Sequence, residues 1–140
     1  MIGYFVKSGD ISMSQKILPY IKEISRIISD RMDSNYGQGL NILLIKYYLE
    51  GKYLAIPNEE YRIENYREVD HSLSIVFYIP KKLISYSAFE MKNTIIQTSF
   101  LAIQMAKEKI ENEKIFDVDF KKILFDYKIC AELFLTKDMV

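Results

Sequence analysis

The chain is short of most residues that build catalytic or metal centres. It has one cysteine, one histidine, no tryptophan, three prolines and five glycines in 140 residues. A single cysteine, Cys130, cannot close an intramolecular disulfide, and no CxxC or Cys/His cluster is present to hold zinc. A reducing compartment, no metal and no cofactor are therefore expected. Net charge is absent too, with 19 basic and 19 acidic residues. Phosphate binding normally shows as a basic excess or stripe, so direct contact with nucleic acid is not expected. Long hydrophobic runs are also missing. The most apolar stretch, Ile42 to Leu49, is interrupted by Lys46 and falls short of the ~20 residues a membrane span requires. The first ten residues lack a basic region followed by a long apolar segment, so a secretory signal is not expected. A soluble cytoplasmic protein with no membrane contact is the expectation.

What remains is an ordinary globular balance, 49% hydrophobic and 27% charged, enriched in tyrosine (eleven) and phenylalanine (eight). At this length one domain spanning 1–140 is expected, burying about two thirds of its unfolded surface. Some tyrosines must then fill the core. Others suit contact surfaces, where the ring gives large area at low entropic cost.

Hydrophobic periodicity gives the element order. Ile2 to Lys7 alternates as a short strand. From Ser14 to about Met32 apolar residues recur at helical spacing, and Pro19 suits that helix only near its start or after an irregular first turn. Asp33 to Gly39 is a loop by composition. Leu40 to Leu49 is largely apolar on both faces, as expected of a central strand covered on both sides or nearly so. Tyr53 to Ile56 is a short optional strand. Tyr61 to Val69 and Ser72 to Ile79 alternate around Asp70-His71, which predicts an antiparallel hairpin with Leu73, Ile75, Phe77 and Ile79 inward and Ser72, Ser74 and Tyr78 outward. Ser87-Ala-Phe-Glu90 spells a capping box, with Tyr86 and Met91 placed for a hydrophobic staple. The helix it opens runs to about Glu111. Asp117 or Asp119 caps a last helix bearing Phe120, Ile123, Leu124, Tyr127, Cys130 and Phe134. The order β-α-β-(β)-β-β-α-α predicts an α+β fold, with a mainly antiparallel sheet of four to five strands packed against helices.

Few residues carry chemistry. His71, between Asp70 and Ser72, lies in a turn whose neighbours point in different directions, so it is expected as an exposed turn histidine and not a triad member. Cys130 sits on the apolar stripe of the last helix, the position of a buried core thiol. Gly37-Gln38-Gly39 precedes a strand, whereas a phosphate cradle needs glycines at a strand-to-helix turn. No catalytic residue is assigned. The suggestive stretch is Glu59 to Asp70. Glu59, Glu60, Glu64, Glu68 and Asp70 against Arg62 and Arg67 give a local charge of −3, with Tyr61 and Tyr66 interleaved. Glu59, Glu60, Tyr61, Glu64, Tyr66, Glu68 and Asp70 are the candidate partner-binding residues, suited to a basic protein surface. The same pattern also describes an edge strand protected by charge against edge-to-edge pairing.

Three stretches carry a family resemblance: Asn35-Tyr-Gly-Gln-Gly-Leu-Asn-Ile-Leu-Leu-Ile45; the acidic pair from Ile56-Pro-Asn-Glu-Glu-Tyr61 through Ser72-Leu-Ser-Ile-Val-Phe-Tyr-Ile-Pro80; and the two-helix ending with Ala102-Ile-Gln-Met-Ala-Lys-Glu-Lys109 and Ile115-Phe-Asp-Val-Asp-Phe120. In pattern and length the chain resembles small bacterial immunity proteins of polymorphic-toxin and contact-dependent growth inhibition systems. The resemblance implies a non-enzymatic protein that binds one cognate toxin domain, often a nuclease, and covers its active site or a neighbouring surface. It transfers no contact residue. Two rivals remain: a small carboxylate-dependent enzyme or ligand-binding domain with a pocket between sheet and helices, and a subunit that associates with copies of itself.

Overall fold

The computed structural model describes residues 2–8, 11–33, 35–49, 61–67, 70–113 and 117–136. The chain runs β1 (Ile2–Ser8), α1 (Ile11–Arg31), β2 (Ile42–Leu49), β3 (Tyr61–Arg67), β4 (Ser72–Ile79), a 3-10 turn (Lys81–Ser85), α2 (Ala88–Asn112) and α3 (Phe120–Thr136). The fold is α+β, as the sequence predicts. The optional strand Tyr53 to Ile56 lies outside the described residues.

The sheet corrects one expectation. Its order is β1-β2-β4-β3, with β1 and β4 both parallel to β2 and only β3 antiparallel to its neighbour. It is mixed, not mainly antiparallel. The cause is connection length. α1 carries the chain back along the sheet, so β1 and β2 must run the same way. β3 then joins the far side of β4 through the Asp70-His71 turn, and β2 finds β4 as its second neighbour. A strand apolar on both faces thus takes a central place.

One face of the sheet meets the helices. Leu43, Ile45, Tyr47 and Leu49 of β2 and Leu73, Ile75, Phe77 and Ile79 of β4 are buried there, in register with Tyr4 and Val6 of β1. The tyrosines on this face are anchored by their hydroxyls. Tyr4 Oη lies 2.9 Å from both Ser99 Oγ and Tyr127 Oη, and Tyr47 Oη lies 2.6 Å from Thr98 Oγ1 and donates to the Ile95 carbonyl at 3.3 Å. The rings of Tyr4 and Tyr47 stack at 6.2 Å. Part of the tyrosine excess is therefore core, with every buried hydroxyl of this trio partnered.

The opposite face is only partly covered. Ile42 and Phe5 are exposed, while Leu44, Lys46 and Tyr48 are half-buried. The two-sided cover expected of β2 is thus complete on the helix side alone. Lys46 and Lys7 lie over the rings of Phe5 and Tyr48 at 6.0 and 5.6 Å. Tyr78 lies on this outward face, as expected, and is buried there edge-on against Tyr48.

Helix ends follow local chemistry. Ser87 Oγ accepts from the Glu90 amide and Glu90 Oε1 accepts from the Ser87 amide, both at 3.1 Å, which completes the capping box. Met91 behind it is fully buried and Tyr86 half-buried, as the staple requires. Asp119 Oδ1 accepts from the Lys122 amide and so caps α3. α1 begins at Ile11, which places Pro19 well inside the helix, a second correction. Pro19 lies on the exposed side, and the bond it withholds is the one the Gln15 carbonyl would accept. Tertiary burial of Met13, Ile17, Ile21, Ile24, Ile27 and Ile28 holds the helix through that gap. At the far end of the helical layer, buried Lys92 of α2 donates to the Phe134 carbonyl at 2.7 Å, lies over the Phe134 ring, and stands 4.0 Å from Glu23 of α1. One ammonium thus caps the last turn of α3 and ties the three helices together.

Candidate functional site

The loop that follows α1 meets Tyr66 and the Asp70-His71 turn at one end of the sheet, where β2 begins and β3 ends. Tyr36 is the post of this end. Its ring is buried, its hydroxyl donates to Asp126 Oδ2 of α3 at 2.7 Å, and it accepts from the Asp33 amide at 2.9 Å. Burial, and then the adjoining Asp126 carboxylate, push its ionisation well above the ordinary tyrosine range. Lys122 lies over the ring at 5.8 Å and bonds Asp33, so α1, the loop and α3 are clasped around one side chain. The bond to Asp33 also raises the Lys122 ammonium above its ordinary value.

The next residues are stitched to the segment before α3. Gly37 bridges Val118, the Gly39 amide donates to the Asp117 carbonyl at 3.1 Å, the Gln38 amide to Asp117 Oδ2 at 3.1 Å, and the Asp119 amide to the Tyr36 carbonyl at 2.7 Å. Gly37 has φ +129°, and a Cβ there would sit 2.0 Å from the Asp117 carbonyl oxygen. Only glycine fits this approach.

The hairpin closes on the same loop. Tyr66 Oη donates to the Gly39 carbonyl at 3.2 Å, the Asn41 amide donates to the His71 carbonyl at 2.8 Å, and Asn41 Nδ2 donates to the Asp70 carbonyl at 3.0 Å. At the turn, Asp70 accepts from Ser72 Oγ at 2.8 Å and pairs with Arg67 at 3.4 Å. The Ser72 hydroxyl first, and the Arg67 guanidinium after it, hold this carboxylate below its usual range. His71, with φ 51°, turns the chain and is half-buried, 3.4 Å from Tyr66 Oη, whereas the sequence placed it in the open.

The candidate partner-binding residues separate accordingly. Tyr66 and Asp70 belong to this end. A register shift between Ile63 and Asn65 places Tyr66 opposite Leu73, on the helix side of the sheet, where it is half-buried against the core. Asp70 is exposed. Tyr61 and Glu64 are described as β3 backbone, with Tyr61 opposite Phe77. Glu59, Glu60 and Glu68 lie outside the described residues. What the sequence did not reveal is the clasp of Asp33, Tyr36, Lys122 and Asp126, whose partners stand about ninety positions apart. A tyrosine directly before Gly37-Gln38-Gly39 was its single local sign.

Beneath the clasp lies a cavity of about 260 Å³ between α1, the sheet and the start of α3. Ile28, Met32, Leu43, Ile103 and Ile123 make it mostly apolar, while Ser25, Ser29 and Asp33 supply polar atoms. Asp33 is the one carboxylate among its lining residues, and it is already paired with Lys122. Among the described residues no group of His, Cys, Asp or Glu is placed to hold a metal, and no helix is long and apolar enough to cross a membrane. Cys130 is fully buried beside the Ile27 carbonyl, and burial pushes its thiol up to about 11, the opposite of an activated nucleophile. Compared with protein-family models, with curated proteins and with solved structures, the chain matches none of them.

Proposed function

We propose that this chain is a non-enzymatic binding protein that neutralises a cognate bacterial toxin domain, an immunity protein of the polymorphic-toxin or contact-dependent inhibition kind. It acts in the cytoplasm by covering the toxin's active site or a surface next to it. One observation carries this reading. The Tyr36–Asn41 loop and the Tyr66–Ser72 hairpin, both singled out in the sequence, are pinned to each other and to α3 by hydrogen bonds that leave Asn35, Gln38, Asn41, Arg67 and Asp70 exposed. A fixed ledge of exposed polar groups loses little conformational entropy on binding. The cavity behind it accepts one apolar anchor from a partner, the arrangement of a hot spot inside a polar rim. The acidic residues Glu59, Glu60, Glu64 and Glu68 supply the negative charge that steers a basic partner, such as the substrate cleft of a nuclease.

The test is a double reversal, Glu64→Lys with Glu68→Lys, assayed against the proposed cognate toxin domain. Association slows about tenfold at low ionic strength, while the circular dichroism of the chain stays the same. Unchanged association removes the acidic strand from the interface. The 260 Å³ cavity also favours a second reading, a small-ligand-binding domain. A small metabolite that protects the chain from heat with no protein partner present would favour it.

A further inference from the structure

The last helix is apolar on two sides. Its inner side, Phe120, Ile123, Tyr127, Cys130, Ala131 and Phe134, fills the core. Its outer side carries Phe125, Ile129 and Leu133, spaced by four residues and 65%, 39% and 37% exposed. Single exposed apolar residues are ordinary, but a continuous row on an already buried helix marks a face that meets something. Beside the row run Lys128 and Glu132, both exposed and also four apart, so they share one flank.

We propose that this row is a two-fold interface on which α3 of a second copy packs antiparallel, centred near Cys130. The occupant follows from charge and spacing. At about 1.5 Å of rise per residue, a two-fold axis at position 130 sets Lys128 level with the second copy's Glu132, and Glu132 level with its Lys128. A parallel pairing, whose axis runs along the helices, would put the two charged flanks on opposite sides of the contact, so neither charge would meet its counterpart. The same axis interleaves the apolar row. Phe125, the second copy's Leu133, Ile129, the second copy's Ile129, Leu133 and the second copy's Phe125 follow one another at steps of about 3 Å. The face is complementary to itself, as a closed two-fold contact demands. One helix pair buries less than the ~800 Å² per partner of a stable complex, so the dimer forms at high protein concentration.

Sedimentation velocity on the purified chain, with no toxin present, tests this separately from the proposed function. The mass rises from 16.5 kDa toward twice that value as concentration enters the millimolar range. Ile129→Lys keeps the chain monomeric throughout with unchanged circular dichroism. Lys128→Glu and Glu132→Lys each weaken association severalfold, and the two together restore it. A mass that stays monomeric, association indifferent to Ile129→Lys, or a double reversal as weak as either single change would overturn the proposal. So would a monomeric chain whose Ile129→Lys variant no longer binds the toxin, since the row would then belong to that partner.

Discussion

Alkaline pH tests the tyrosine core most sharply. Tyr47 and Tyr127 are fully buried, and Tyr4 is joined to Tyr127 and Ser99 through its hydroxyl. Burial raises the ionisation of all three well above the ordinary value of 10.0, and the neighbouring phenols push Tyr4 and Tyr47 higher still. A raised native value means that the stability held by these groups is fully present below the unfolded value and is lost as pH climbs past it. Above that value the unfolded chain gives up protons that the native chain keeps. Each tyrosine then costs the native state about 1.4 kcal/mol per pH unit. Three together remove about 4 kcal/mol by about pH 11 and about 8 kcal/mol by about pH 12. Against a net stability of about 5–15 kcal/mol, cooperative unfolding falls in or just above that window. A pH jump followed at 295 nm and by circular dichroism separates the phases. Tyr4, Tyr47 and Tyr127 ionise only at the rate of helix loss. Tyrosines that all ionise at once with the helices intact would refute the reasoning.

Two further outcomes follow from single positions. Gly37→Ala forces a Cβ onto the Asp117 carbonyl at a positive φ and costs about 2–4 kcal/mol, read by denaturant titration. A neutral result would mean the loop is not pinned to Asp117. Lys92→Met keeps the aliphatic stem but uncaps α3 and removes the ammonium that stands 4.0 Å from Glu23, for a loss of about 2–3 kcal/mol in the same assay. Lys92→Met together with Glu23→Gln recovers part of that loss, and no recovery would show that the two side chains are not coupled.

Much of the architecture was legible in the residues because it is local. The Ser87-Glu90 capping box, the apolar stripe of α1 and the two-faced β2 are set by near neighbours. The sheet's direction was not legible, because parallel pairing of β2 with β4 depends on which strand fills the gap beside β2, and no short motif encodes that. Pro19 misled for a related reason: burial of six α1 side chains outweighs the missing hydrogen bond. At the candidate site, Gly37 and Asp119 were visible as turn and cap residues. Their union with Tyr36 and Lys122 is purely tertiary. Tyr66 shifted because a bulge resets the alternation that strand reading relies on.

The central claim is that this chain works by being bound. The most direct measurement titrates the purified chain into the activity of the proposed cognate toxin domain. Activity is expected to fall linearly to zero at one equivalent, with no substrate consumed by the chain alone. Undiminished toxin activity at excess chain, or turnover of a metabolite by the chain alone that one substitution abolishes, would contradict it.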